Sequence, residues 1–104
     1  MTLELTRYCF TTTDYDRMIE AGIFNGDSRI ELIEGEIVEM TPIGRRHAAC
    51  ADRLTRLLSS LIEDSGQLRV QGPIQLGDAN EFQPDLSILR RSADYYDSAQ
   101  PTSR

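Results

Sequence analysis

The run RIELIEGEIVEM, residues 29–40, constrains the fold of this chain more than any other segment. Two short stretches rich in isoleucine and valine lie on either side of Gly35, and polar residues alternate with them. β-branched residues in alternation predict strands, and a glycine between two such stretches predicts a tight turn. The segment therefore predicts a β-hairpin.

The register of this hairpin depends on the length of its turn. A two-residue turn ending at Gly35 pairs Glu31 with Val38, whereas a three-residue turn around Gly35 pairs Leu32 with Val38. The longer turn keeps apolar residues opposite each other, so it is the register we expect. It also sets Glu31 opposite Glu39, where both carboxylates would remain solvated and blunt the edge of the sheet.

Two helices are predicted from apolar residues at steps of three and four. The first is short, with Thr13 and Asp16 in a capping-box arrangement and an end near Gly22. The second is long, opens near His47 and is expected to stop at Gly66. Its periodic residues are His47, Cys50, Ala51, Leu54, Leu57, Leu58, Leu61 and Ile62.

Two further strands follow the long helix. The run QLRVQGPIQL, residues 67–76, alternates like a strand, and Gly72-Pro73 indicates a bulge or an edge position within it. After a turn at residues 77–80, the run LSIL forms a fourth strand, with Asp85 on the face opposite Leu86 and Ile88. The polar residues 98–104 have no period and are expected to form a disordered tail.

Composition limits the chain to one small domain. It has 104 residues and a net charge of −6, which argues against non-specific attraction of nucleic acid to the whole surface. Cys9 and Cys50 lack metal-type spacing and are expected to be buried, unpaired residues. No secretory leader and no run of about 20 apolar residues is present, so we expect a cytoplasmic protein without membrane association.

Few catalytic arrangements are compatible with this sequence. It contains no Ser/His/Asp signature, no phosphate-binding glycine loop and no zinc spacing. The remaining candidate is Asp85 in the run QPDLSILRR, with Asp78 and Glu81 nearby, because carboxylate oxygens suit a hard cation such as Mg²⁺. The alternative is that Asp85 is an ordinary residue at the start of a strand.

The start of the long helix carries a second candidate site. Arg45, Arg46 and His47 follow Gly44 there, and together with free backbone N–H groups they could bind a phosphate. The alternatives are arginines that lie in solvent or pair with acidic side chains, and a His47 that is packed and hydrogen-bonded rather than a ligand.

The combination of ELIEGEIVEM, His47 and QPDL resembles the Uma-type (Uma-two) family of restriction-endonuclease-like proteins, over about residues 10 to 97. The family is similar to PD-(D/E)xK nucleases, in which an Asp and a Glu on neighbouring strands hold Mg²⁺ for phosphodiester hydrolysis. The resemblance implies an α/β (α+β) fold with a mixed sheet, and it implies that Asp85 is the metal-binding aspartate. It also implies a role for His47 at the rim of the active site.

The chain departs from the pattern of the family in one important respect. The family continues from QPDL into a strand containing Glu-Val and a helix containing a lysine, whereas all 11 basic residues here are arginine. We therefore expect residues 1–97 to be the N-terminal part of such a domain, truncated and inactive alone as a DNA endonuclease. The competing interpretation is a non-catalytic binding module or a homodimer formed through an exposed sheet edge.

Overall fold

The computed structural model describes residues 3–103, which form an α+β fold with two helices and antiparallel sheets. This confirms the predicted class and is consistent with a restriction-endonuclease-like fold. The elements in chain order are α1 Thr12–Glu20, β1 Ile30–Ile33, β2 Glu36–Glu39, α2 Arg45–Ile62, β3 Gln67–Val70, β4 Ile74–Gln75, β5 Glu81–Phe82 and β6 Leu86–Leu89.

Helix α1 begins two residues earlier than its capping signal predicted. Thr11 is the N-cap, its hydroxyl accepts the N–H of Asp14, and the Asp14 carboxylate accepts the N–H of Thr11. The box built on Thr13 and Asp16 was therefore wrong. Both boxes have the same spacing, and the backbone hydrogen bond from Thr12 to Asp78 selects the earlier one.

The hairpin of β1 and β2 has the two-residue turn, so the expected register was wrong. Glu31 pairs with Val38 and Leu32 with Ile37. Glu34 and Gly35 have φ values of 50° and 79°, and two successive positive values match the twist of a two-residue hairpin. Residues distant in sequence stabilise this turn, because the N–H of Glu34 donates to Asn80 Oδ1 and that of Gly35 donates to the Ala79 carbonyl.

A four-stranded sheet in the order β2-β1-β5-β4 contains the best-buried apolar side chain of the described chain. Leu32 of β1 is completely buried, and Tyr15 of α1 is 3% exposed. Strand β5, which lies just after the predicted turn, pairs with both β1 and β4. Its two residues are too short a segment for a periodic signal, so the sequence did not predict it.

The run QLRVQGPIQL forms two strands in two different sheets rather than one strand with a bulge. Strand β3 pairs with β6, and β4 pairs with β5. Gln71 between them has a φ of 53°, and Pro73 has no N–H to donate. The Arg69 side chain packs over Gly72, since a Cβ added there would lie 1.9 Å from Arg69 Cδ and would displace that side chain.

Helix α2 spans the predicted segment and packs against β3. It ends at Ile62, where Glu63 adopts a φ of 48°, so the chain leaves the helix three residues before the expected stop at Gly66. None of its own residues is fully buried, and Leu57 and Leu61 are exposed. Cys9 and Cys50 are unpaired as expected, but both are exposed, so their predicted burial was wrong.

The C-terminal segment contacts the larger sheet. The N–H of Gln75 donates to the Pro101 carbonyl at 3.0 Å, and Gln75 forms a parallel bridge with Thr102. Pro101 is buried. These contacts involve residues of the expected tail, 98–104, of which the last lies outside the described residues.

Candidate functional site

Asp85 lies directly before β6, where one backbone hydrogen bond and a preceding proline restrict its position. Its carbonyl accepts the N–H of Gln71 at 3.0 Å, which extends the β3–β6 ladder by one step. Pro84 precedes it and restricts the chain to an extended conformation. The Asp85 carboxylate therefore projects from the end of a paired strand.

The first turn of α2 brings His47 to this carboxylate. His47 Nε2 lies 2.5 Å from Asp85 Oδ2, although the two residues are 38 positions apart. The His47 side chain is 52% exposed and that of Asp85 is 36% exposed, so the pair lies at a surface that a ligand can reach. The two residues that the sequence singled out are thus in direct contact.

A third residue, Arg29, approaches the other oxygen of the same carboxylate. Arg29 Nη2 lies 3.6 Å from Asp85 Oδ1, and the arginine side chain is 29% exposed. Asp85 therefore lies between a guanidinium group at the start of β1 and an imidazole at the start of α2. The arrangement joins the hairpin, the long helix and the β6 strand.

Glu31 orients the segment that leads to Asp85. Its Oε2 accepts the backbone N–H of Gln83 at 2.7 Å. Gln83 and Asp85 are separated by Pro84, so this hydrogen bond fixes the chain two residues before the candidate carboxylate. Alternation along β1 places the Glu31 side chain on the face opposite the buried Leu32, where it reaches this segment.

These residues line an open pocket of about 410 Å³. The hairpin segment contributes Arg29, Glu31 and Met40, and residues 41–44, which precede α2, form one wall of the pocket. One concave surface therefore contains both basic and acidic side chains. The full lining is Arg29, Glu31, Met40, Thr41, Pro42, Ile43, Gly44, His47, Gln83, Pro84 and Asp85.

Arg45 and Arg46 lie at the same end of α2 but are not among the residues that line this pocket. Both are exposed. The N-cap, Gly44, provides no side-chain hydrogen bond, so the first N–H groups of α2 remain available at the pocket wall. The predicted phosphate-binding residues are thus next to the pocket rather than in it.

The other carboxylates near Asp85 in sequence do not join it in space. Asp78 is exposed in the loop between β4 and β5. Glu81 is 5% exposed and lines a different pocket together with Asp16 of α1. Proximity in sequence therefore predicted the wrong companions for Asp85.

The donor set of the pocket can be compared with the needs of Mg²⁺. Within residues 3–103, no three His, Cys, Asp or Glu side chains form a metal-binding group. Asp85 and Glu31 nevertheless line one pocket, and Mg²⁺ commonly takes one or two protein carboxylates and completes its shell with water and substrate phosphate. Asp85 thus provides one carboxylate suited to such an ion, while His47 and Arg29 compete for it and Glu31 already accepts the N–H of Gln83.

Sequence reasoning missed Arg29 and Glu31. Glu31 was interpreted as a solvated residue at the hairpin edge, because the longer turn was expected. The signal that could have identified it is the pair Glu34-Gly35, which a two-residue turn can accommodate. Arg29 has no local pattern that would reveal its place in the pocket.

Neither helix of residues 3–103 has both the length and the apolar character needed to cross a bilayer. A comparison with curated proteins finds no match. A family model does match, over residues 12–103, and its description reads "Uma2: Putative restriction endonuclease". The match covers most of the 104 residues and agrees with the resemblance carried by the hairpin, His47 and the QPDL run. The chain therefore belongs to the Uma2 family.

Proposed function

We propose that this protein is a domain of the Mg²⁺-dependent endonuclease type, directed at the phosphodiester backbone of DNA, and that Asp85 is its metal-binding carboxylate. The observation that carries the proposal is the contact of Asp85 with both His47 and Arg29 at one pocket. Restriction-endonuclease-like families generally use divalent metals, which supports the choice of ion. A DNA substrate also agrees with the cytoplasmic location expected from the sequence.

The charged residues of the pocket and the two arginines beside it have distinct roles in this proposal. Asp85 would hold Mg²⁺, which when bound makes a coordinated water more acidic and stabilises negative charge on a phosphate. Glu31 positions the segment containing Asp85 through its hydrogen bond to Gln83. Arg29 stabilises the negative charge of a phosphate bound beside Asp85, and His47 orients the Asp85 carboxylate. Arg45 and Arg46 contact the DNA backbone at the adjacent helix start.

We further propose that this chain alone binds the metal but does not hydrolyse DNA. PD-(D/E)xK chemistry uses a second carboxylate and a lysine in addition to the aspartate, and this sequence has no lysine. Arginine does not replace lysine in proton transfer, because its guanidinium group stays protonated at any accessible pH. Glu31, the other carboxylate of the pocket, already accepts a backbone hydrogen bond.

Metal binding and cleavage can be tested on the same preparations. Mn²⁺, a paramagnetic substitute for Mg²⁺, should broaden the NMR signals of residues around the pocket, and Asp85→Asn should weaken its binding about tenfold or more. Asp78→Asn, which removes an exposed carboxylate outside the pocket, is the matched control and should bind as the wild type does. Equal Mn²⁺ affinity of the Asp85→Asn variant and the wild type would exclude the proposed ligand.

Cleavage is tested with supercoiled plasmid in Mg²⁺. The wild-type chain should leave the plasmid intact. Nicking by this chain that disappears in Asp85→Ala would refute the proposed inactivity while supporting the metal role. Nicking that persists in the same variant would refute both.

A second candidate function is association through exposed apolar surface. Among residues 3–103, β3 is the one strand that pairs with β6, and Ile88 on β6 is 58% exposed. Leu57 and Leu61 of α2 are 55% and 70% exposed. An unpaired edge beside apolar side chains can bind a second copy. Sedimentation should then reveal a dimer that Ile88→Asp converts to monomer, whereas a wild-type monomer at high concentration would exclude it.

A further inference from the structure

The carboxyl group of Glu81 is buried between α1 and the four-stranded sheet. Glu81 is 5% exposed and belongs to β5, a central strand of that sheet. It pairs with Leu32 on one side and with Gln75 on the other. Such a position normally holds an apolar side chain, because a charge there loses its hydration.

The amide of Gln75 connects Glu81 to α1. Gln75 Nε2 donates to Glu81 Oε1 at 3.1 Å and lies 3.5 Å from Asp16 Oδ2. Asp16 is on α1, next to Tyr15, which is 3% exposed. One side-chain amide thus bridges a carboxyl group of the sheet and a carboxyl group of the helix.

The titratable groups that face Glu81 are acids. Asp16 and Tyr15 approach it from α1, and β4 contributes the neutral Gln75. Glu31 of β1 adds a negative charge that raises the pKa of the same tyrosine. The ion pairs among the described residues involve Arg7, Arg29, His47 and Arg91, and each of these has an acidic partner other than Glu81 or Asp16. Two ionised carboxylates at this position would repel each other across the helix–sheet contact.

Burial, opposed by the Gln75 hydrogen bond and reinforced by the negative charge of Asp16, raises the pKa of Glu81 to about 7. The ordinary value is 4.5, so the folded state retains the Glu81 proton in a pH range where the unfolded chain releases it. Stability from this group is therefore fully present below about pH 4.5 and is lost as the pH rises through about 7. Burial and the charges of Glu81, Glu31 and Asp16 also raise the pKa of Tyr15, to about 12, so this phenol stays neutral throughout.

We propose that Glu81, Gln75 and Asp16 form a pH-sensitive latch, which holds α1 against the sheet when Glu81 is protonated and loosens it when Glu81 is ionised. Beside the latch lies a pocket of about 520 Å³ lined by residues of both elements, including Tyr15 of α1 and Ile30 of β1. Gln83 lines this pocket and also the pocket of Asp85. Loosening of α1 therefore changes the surroundings of the segment that leads to Asp85. This pH response goes beyond the proposed nuclease role.

The latch is tested by NMR of the full chain between pH 5 and pH 8. The amide signals of residues 12–20 should report a detached form of α1 whose population rises about tenfold or more over this range, since one pKa unit corresponds to a factor of ten. Glu81→Gln, which keeps a neutral hydrogen-bonding side chain, should abolish the rise. Glu20→Gln, an exposed carboxylate on the same helix, should leave it unchanged.

Two results would overturn the latch. One is a Glu81→Gln variant whose α1 signals respond to pH as the wild type does. The other is a wild-type α1 that stays attached at pH 8. If Glu81→Gln does not fold, Asp16→Asn provides the second variant, because removal of the repelling charge should reduce the pH response of α1 by at least about half, and an unaltered response would contradict the proposal.

Discussion

His47 Nε2 and Asp85 Oδ2 lie 2.5 Å apart, and this contact joins the first turn of α2 to the start of β6. Both groups are partly exposed, so water weakens the interaction. The contact is therefore a positional constraint on the carboxylate more than a large source of stability.

His47→Ala should lower the free energy of unfolding by about 1 kcal/mol, the net value of one hydrogen bond at a partly exposed site. His47→Gln should lose less, because the amide can still donate to Asp85. Urea unfolding of the two variants beside the wild type measures both values. Identical losses in Ala and Gln would show that the hydrogen bond with Asp85 contributes nothing.

Glu31→Ala should cost about 0.5–1.5 kcal/mol, because the exposed N–H of Gln83 exchanges its carboxylate acceptor for water. Glu31→Gln retains a carbonyl oxygen and should recover most of that stability. Glu39→Ala, an exposed glutamate of the same hairpin, is the control and should stay within about 0.5 kcal/mol of the wild type. The NMR shift of the Gln83 amide should move in Glu31→Ala alone, and a stationary amide would contradict this role.

Gly35→Ala should destabilise the protein by about 2 kcal/mol. Gly35 has a φ of 79°, and an added Cβ would lie 2.8 Å from Cys9 Cβ, so the change introduces both strain and a clash. Gly26→Ala serves as the control, since nothing lies within 4 Å of its added Cβ and its φ is not positive. Thermal unfolding that ranks the two variants equally would be inconsistent with the two-residue turn.

Leu32→Ala should lower the free energy of unfolding by about 2–5 kcal/mol, because it opens a cavity at a fully buried position. Leu5→Ala removes the same atoms from a side chain that is 90% exposed and should have almost no effect. Chemical denaturation of both variants measures the difference. Comparable losses would place the core elsewhere.

Thr11→Ala should cost about 1 kcal/mol through loss of the α1 N-cap. Thr13→Ala should be nearly neutral, because Thr13 is an exposed residue within the first turn. Helix content and unfolding free energy of the two variants distinguish the capping boxes. A larger loss for Thr13→Ala would restore the box that the sequence alone favoured.

Several elements of this fold could be predicted from local sequence. The hairpin, α2 and the LSIL strand each carry a regular apolar period over four or more residues, and periodicity depends only on neighbours along the chain. The family could also be identified from the sequence, because the hairpin, His47 and QPDL follow one another in the order that the family shows.

The tertiary structure decided how those elements meet. Two-residue and three-residue turns were both compatible with the hairpin, and contacts from Ala79 and Asn80 selected the shorter one. The run from Gln67 to Leu76 could not reveal that its halves pair with different strands, since partner strands lie elsewhere in the chain.

The same distinction applies to the candidate site. The sequence by itself determined that Asp85 begins a strand and that His47 begins a helix. Only the folded chain places Arg29 and Glu31 in the pocket of Asp85 and buries Glu81 away from it. The physical reason is that strand register selects the face of each side chain, and a shift of one residue would have moved Glu31 to the other side of the sheet.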